Sequence, residues 1–358
     1  MIWEGTRLFA IRRLDYTEYQ VLVYLNFVLN VSTRADMKAI QIHQTGGPEV
    51  LVCRELPVPE PRSHEVQVRL SYSGVNFIDT YHRTGLYPLE LPLILGLEGA
   101  GIVSAVGKSV SEFSIGQAVA FPQSPGAYAE TVCVDEQKLV PVPEGLGHDI
   151  ACALMLQGMT AHYLAVDTFP LESGIKCLIH AAAGGVGSLL VQMAKRRGAF
   201  VIGTVSTEEK AAKVKELGAD EVIIYSKQDF EKEVQAITKG NGLQVVYDSV
   251  GKDTFERSIR CLAPRGMIVL FGQSSGPIPS FDPLLLSRHG SLYVTRPKLG
   301  DYIRDRAELL IRARDILSWT LAEQLRVEIG ATYELAEAAQ AHRALEGRVT
   351  TGKVLLKC

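Results

Sequence analysis

The six cysteines, at 53, 133, 152, 177, 261 and 358, never pair as C-x-x-C. That scatter argues against a disulfide framework and fits free or buried thiols in a reducing compartment, so a cytoplasmic location is expected. A dominant charge is also missing, because 37 Lys and Arg stand against 40 Asp and Glu for a net charge of −3. Nucleic-acid binding would call for a basic excess, so it is not expected. The one dense basic cluster, Lys195-Arg196-Arg197, ends a helical pattern and reads as a solvated last turn that complements the helix dipole. No apolar run approaches the ~20 residues that span a bilayer. Hydrolytic motifs are lacking as well: there is no H-E-x-x-H, Ser-His-Asp set or paired-carboxylate pattern, and the eight histidines have no ligand spacing.

What is present is apolar substance. With 358 residues, 47% hydrophobic and 22% charged, the chain is able to bury a large core and to divide into two domains. Its organising stretch is Cys177 to Lys195, where a short apolar run breaks into glycines and then becomes an amphipathic helix. Strand, tight turn and helix are predicted there. Gly184, Gly185 and Gly187, with Val186 between the last two, let the backbone turn sharply, approach a pyrophosphate and pack the helix on its strand. The helix N-terminus points free N–H groups at it.

Residues 1–36 are set apart as an N-terminal extension. Arg7, Arg12 and Arg13 precede the apolar run Val21 to Val31, but no small-x-small cleavage site follows. Met37 opens a strand pattern through Ala39, Ile40 and Ile42 and is the expected physiological start. From Lys38 to Val142 short alternating runs punctuated by Gly and Pro, such as Glu65–Leu70 and Ala100–Val106, predict a β-barrel. From about Thr160 strands and helices alternate. The strands are Cys177–His180, Phe200–Val205, Val222–Ile224, Val245–Tyr247, Met267–Phe271 and Leu292–Val294, and the helices Glu208–Leu217, Phe230–Thr238 and Thr254–Leu262. That is the pattern of a doubly wound parallel sheet. Beyond Pro297 come a helix over Ile303 to Gln324, a strand around Val327, a helix over Leu335 to Leu345 and a last strand, Val354–Leu356. This tail is expected to return to the barrel. The resulting division is 37–158, barrel; 159–296, dinucleotide-binding domain; 297–358, barrel again.

Five stretches together carry a family resemblance: Gly74-Val-Asn-Phe-Ile-Asp-Thr-Tyr81, Gly85-Leu-Tyr-Pro88, His180-Ala-Ala-Ala-Gly-Gly-Val-Gly187, Val246-Tyr-Asp-Ser-Val-Gly251 and Gly290-Ser-Leu-Tyr-Val-Thr-Arg-Pro297. From Met37 onward the chain resembles the NADPH:quinone oxidoreductases, the zinc-independent branch of the medium-chain dehydrogenases. The resemblance implies an α/β protein with a GroES-like barrel as catalytic domain and a Rossmann domain. Zinc members of that superfamily place a Cys ligand where Asn76 stands and Gly-His-Glu where Gly96-Leu97-Glu98 stands; no cysteine lies between Phe121 and Gly126. No metal is expected.

The second Rossmann strand ends Gly203-Thr-Val-Ser-Thr207. An acid there would bind the ribose 2′-OH of NAD, whereas Ser206 and Lys210 suit a 2′-phosphate, so NADPH is the expected cofactor. The resemblance adds Tyr225 around that phosphate. It also implies that Asn76, Thr160, Ser249, Phe271, Ser274 and Arg348 contact the nicotinamide half, its ribose or the phosphates. Tyr81 and Tyr87 are the expected substrate wall, each offering an apolar face to a planar quinone and a hydroxyl to its oxygen. Asp79 and Glu98 read as structural. Two other functions fit the same residues: reduction of an enone or alkenal C=C bond, and a crystallin-like NADPH-binding structural or RNA-binding role. The apolar edge Ser291–Val294 predicts a homodimer.

Overall fold

The structure, a computed structural model, describes residues 35–358. The expected extension over 1–36 lies outside the described residues apart from Ala35 and Asp36. Strand β1 (Asp36–Ile42) alternates inward Met37 and Ala39 with outward polar residues, pairs antiparallel with β2 (Val52–Pro57), and continues on its other side to a two-residue strand further along. The prolines at 57, 59 and 61 close β2 and force the loop into β3 (Glu65–Val75), the long strand of the barrel. Val66, Val68 and Leu70 of β3 are buried in strict alternation. Helix α1 (Phe77–Thr84) follows directly, and then β4 (Leu93–Ile94), β5 (Gly99–Val106), β6 (Ala118–Phe121), β7 (Thr131–Asp135) and β8 (Val140–Pro141).

Helix α2 (His148–Tyr163) is apolar on nearly every face, as a helix buried between two bodies must be. It packs on β3, β5 and β6 of the barrel. Its opposite side packs on the next body, which begins with β9 (Lys176–Ile179) and α3 (Gly185–Arg196). The chain then runs β10 (Phe200–Val205), α4 (Glu208–Glu216), β11 (Glu221–Ile224), α5 (Phe230–Thr238), β12 (Leu243–Asp248), α6 (Phe255–Arg260), β13 (Leu262–Leu270), α7 (Leu284–Arg288) and β14 (Tyr293–Thr295). These six strands form one parallel sheet in the order β11-β10-β9-β12-β13-β14, the doubly wound arrangement expected. Ligands bind such sheets at the switch between β9 and β12, outside the carboxyl ends of the strands.

After β14 come α8 (Arg306–Leu321), β15 (Ile329–Glu334), α9 (Ala338–Glu346) and β16 (Lys353–Lys357). Asp305 starts α8 three residues later than the periodicity suggested, because its carboxylate accepts the N–H of Glu308 at 2.9 Å and caps the helix. Strand β16 lies antiparallel to the second half of β3 and parallel to β15, while β7 pairs with the first half of β3. The last strands therefore complete the sheet in which β3, β5, β6 and β8 lie. One hydrophobic core runs from this sheet through α2 into the parallel sheet. Among the described residues no helix is long and apolar enough to cross a membrane, and all six cysteines are free.

Candidate cofactor and acceptor cleft

The turn after β9 is where the two bodies meet. Contrary to expectation, Gly184, Gly185 and Gly187 are not the residues that reverse it: the left-handed residue is Ala181, at φ 50°. The glycines supply room instead. A Cβ on Gly187 would stand 2.3 Å from the carbonyl oxygen of Ala181, and one on Gly185 would stand 1.9 Å from Oε1 of Gln157. Gly184 caps α3 without a side chain, so the first N–H groups of the helix face open space. Val186 joins these glycines in the wall of a single cavity of about 790 Å3.

At one end of that cavity lie Ser206, Lys210 and Tyr225. Thr207 caps α4 by accepting the N–H of Lys210 at 3.2 Å, which fixes Lys210 one turn into the helix. Its Nζ donates to the backbone carbonyl of Arg348 at 2.8 Å, so helix α4 of one body is tied to the last loop of the other. The neighbouring acids are engaged elsewhere: Glu208 with Lys227 at 2.8 Å, Glu209 with Lys213 at 3.7 Å. Arg348 also lines the cavity; it has a positive φ of 57°. Beside it the amide of Gly352 donates to the Ala183 carbonyl at 3.0 Å, which draws the last loop against the glycine turn.

Toward the middle, Thr160 of α2 and the loops after β12 and β13 form the wall. Asp248 braces them, accepting from the amides of Val250 at 2.8 Å and Gly251 at 3.0 Å and from the Thr254 hydroxyl at 2.7 Å. The amide of Phe271 donates to the Asp248 carbonyl and that of Ser274 to the Ser249 carbonyl. Ser249, Phe271 and Ser274 are thereby held on one rim.

On the barrel side the wall is formed by Asn76, Tyr81 and Tyr87. The tyrosine rings meet edge to face at 5.3 Å. The hydroxyl of Tyr81 accepts the amide N–H of Gln273 at 3.2 Å and that of Tyr87 accepts from Arg296 at 3.1 Å, so both rings reach across from the barrel to the parallel sheet. Burial raises the Tyr81 phenol above its ordinary range. Asn76 borders the cavity, but its amide is committed inward. Oδ1 accepts from Gln157 at 3.1 Å and from the Lys353 ammonium at 3.0 Å, and Nδ2 donates to Glu98 at 2.7 Å and weakly to the Gly74 carbonyl at 3.4 Å.

Lys353 and Gln157 carried no distinctive pattern in the sequence. The Lys353 ammonium is fully buried against the Glu98 carboxylate, and burial pulls it down to about 7 against the pull of Asp79. Below it runs a directed chain. Arg83, paired with Glu346 at 2.8 Å, donates to Nδ1 of His342, whose Nε2–H therefore faces the Tyr128 oxygen; Tyr128 in turn donates to Asp79. Burial pushes Asp79 up to about 6, while burial and the Arg83 guanidinium push His342 down to about 3. Arg296 was legible only as a motif member. Nothing local marked it as lining the cleft.

A GroES-like barrel set against a doubly wound dinucleotide sheet, with a cleft between them, is the architecture of a medium-chain dehydrogenase/reductase. Residues 62–144 match the alcohol dehydrogenase GroES-like domain, and residues 185–302 the family described as zinc-binding dehydrogenase. The chain is 47% identical over 321 residues to a quinone oxidoreductase of Pseudomonas aeruginosa, covering 89% of this chain and 99% of that one. It is 43% identical over 329 residues to a 2-haloacrylate reductase of a Burkholderia species, covering 89% and 98%. The structure of Escherichia coli quinone oxidoreductase complexed with NADPH superposes with a TM-score of 0.88 at 42% identity, covering 90% of this chain and all of that one. The chain belongs to the quinone oxidoreductase family.

Zinc, named in one of those descriptions, does not fit these residues. Around Glu98 stand an amide, Asn76, an aliphatic side chain, Leu97, and the Lys353 ammonium. None is a thiolate or imidazole, and the ammonium already holds the position of a cation. Among the described residues no group of three or more His, Cys, Asp or Glu is arranged to hold a metal ion.

Proposed function

We propose that this chain reduces quinones with NADPH in the cleft between barrel and Rossmann domain, with the domains divided at 37–158, 159–296 and 297–358. The observation that carries the reading is that one cavity is lined by every residue assigned from the sequence to cofactor or substrate. When bound, the cofactor supplies the reducing electrons; the chain supplies position and a dry wall. Ser206, Lys210 and Tyr225 hold the 2′-phosphate, the α3 N-terminus at Gly184–Gly187 takes the pyrophosphate, and Arg348 closes over the phosphates. Thr160, Ser249, Phe271 and Ser274 flank the nicotinamide ribose. Asn76, its amide saturated, packs against the ring as a rigid wall, and Tyr81 and Tyr87 face the acceptor.

The chain is further assigned to the cytoplasm, on its free thiols, and to a homodimer formed through the open edge of β14. A second reading, reduction of an activated C=C bond, is favoured by the identity to a 2-haloacrylate reductase. NADPH oxidation measured with 1,4-benzoquinone, 9,10-phenanthrenequinone and an alkenal, with NADH in parallel and EDTA present, separates them. Quinone turnover with NADPH is expected. Turnover of the alkenal alone would replace the first reading by the second, and tight NADPH binding with no turnover would leave only a binding role.

A further inference from the structure

The cavity wall is lopsided in charge. It contains five cations, Lys210, Arg257, Arg296, Lys298 and Arg348, and a single carboxylate, Asp253, in a chain that is acidic overall. Lys210 and Arg348 belong to the cofactor end, and Lys298 is paired with Asp301 at 3.4 Å. Arg296, at the acceptor end, has only neutral partners among the described residues: the Gly272 carbonyl at 3.2 Å, the Gln273 side-chain oxygen at 3.1 Å and the Tyr87 hydroxyl at 3.1 Å. Of its five N–H donors, two are left over. The Tyr87 oxygen accepts from Arg296 and the Tyr81 oxygen from Gln273, so each phenol keeps a hydrogen with no acceptor among the described residues. Unspent donors stand beside one another here, and nothing among the described residues accepts from them.

We infer that Arg296 and Tyr87 form an oxyanion-receiving pair, so that the cleft selects acceptors whose reduction leaves negative charge on an oxygen conjugated to the reacting centre. The inference rests on the reductase reading above. A hydride brings two electrons and one hydrogen to the acceptor, one carbonyl oxygen keeps the resulting charge, and solvent at the exposed side of Arg296 supplies the proton that completes the hydroquinone. The guanidinium makes Tyr87 a stronger donor by bonding its oxygen, and both groups act on charge that grows only as the reaction proceeds. Arg296 thus counts as a catalytic and specificity-determining residue.

4-Nitrophenol tests this without turnover, because its phenolate is coloured and mimics a hydroquinone anion. Titrated into the NADP+-loaded protein, it is expected to bind as phenolate, with its ionisation midpoint lowered by about 1–3 pH units. In Arg296→Leu that shift should vanish and in Tyr87→Phe shrink, while NADPH affinity, followed by fluorescence, stays within about twofold, which also certifies folding. Quinone kcat should fall about 100-fold in Arg296→Leu. An unshifted midpoint in the wild type, or the same shift in Arg296→Leu, overturns the pair even if quinone turnover is intact. Absent quinone turnover in a wild type that still shifts the phenolate would instead overturn the reductase reading.

Discussion

Lys210 is the residue on which cofactor choice turns. In the structure its ammonium rests on the Arg348 carbonyl at 2.8 Å, a neutral partner that a 2′-phosphate outcompetes. A hydrogen bond to a charged group contributes about 1.5–3 kcal/mol, so Lys210→Ala should weaken NADPH binding roughly 10- to 100-fold and leave NADH nearly unchanged, as titration of cofactor fluorescence would report. Equal losses for both cofactors would remove Lys210 from the phosphate site. His342 makes a different kind of prediction. Its folded value of about 3 lies below the ordinary 6.5, so the unfolded chain binds the extra proton between those pH values and the native state is penalised as pH falls. In His342→Gln an amide keeps the bonds to Arg83 and Tyr128 but does not titrate. The stability difference, wild type minus variant, should be flat above pH 6.5 and fall by about 1.4 kcal/mol per pH unit below it. A flat difference throughout would mean that His342 takes up its proton as readily in the fold as in the unfolded chain. Both residues were visible in the sequence, but only Lys210 carried a signal, because its place after a strand end fixes its surroundings while those of His342 come from residues more than 200 positions away.

Elements built from local pattern were legible, and those built from distant pairing were not. The β9–turn–α3 unit was predicted in place, and its glycines serve the expected close packing of helix on strand, while the backbone reversal falls to Ala181. Gly187→Ala should therefore cost about 1–3 kcal/mol by overpacking, because its Cβ meets the Ala181 backbone, and should weaken NADPH binding further by moving the helix off its strand. Denaturant melts and cofactor titration measure the two losses separately. Strand β13 begins at Leu262, five residues before the expected Met267, because its pairing with β12 slips between Leu243 and Val245, an irregularity no alternating pattern records. Between β16 and the segment after β3, the Lys353 contact with Asn76 spans 277 positions. Breaking that buried pair by Lys353→Met leaves the Glu98 charge uncompensated and should cost about 3–5 kcal/mol. Glu98→Gln combined with Lys353→Met should recover much of the loss. If the double variant were no more stable than the single one, the pair would not be acting as a pair.

At the scale of the whole molecule the barrel and the parallel sheet follow from hydrophobic periodicity, whereas the pairing of β16 with β3 and the cleft needed the fold, which brings Tyr81 and Tyr87 against Gln273 and Arg296. The parallel sheet has two open edges, β11 and β14, and the apolar one is β14. Its neighbour β13 covers one side only, and the other presents unpaired backbone beside exposed Tyr293, with Leu284 and Phe281 exposed in the segment leading into it. Unprotected apolar edges invite pairing, and a two-fold axis there would join two six-stranded sheets into one continuous sheet while covering those side chains. A charge in the middle of that seam would face its own copy across the axis. Tyr293→Asp should therefore shift the protein from dimer to monomer in light scattering at micromolar concentration, with the monomer still binding NADPH, since β14 contributes no residue to the cavity wall. A wild type that scatters as a monomer would remove the proposed interface, and a Tyr293→Asp variant that stays dimeric would move it to another face.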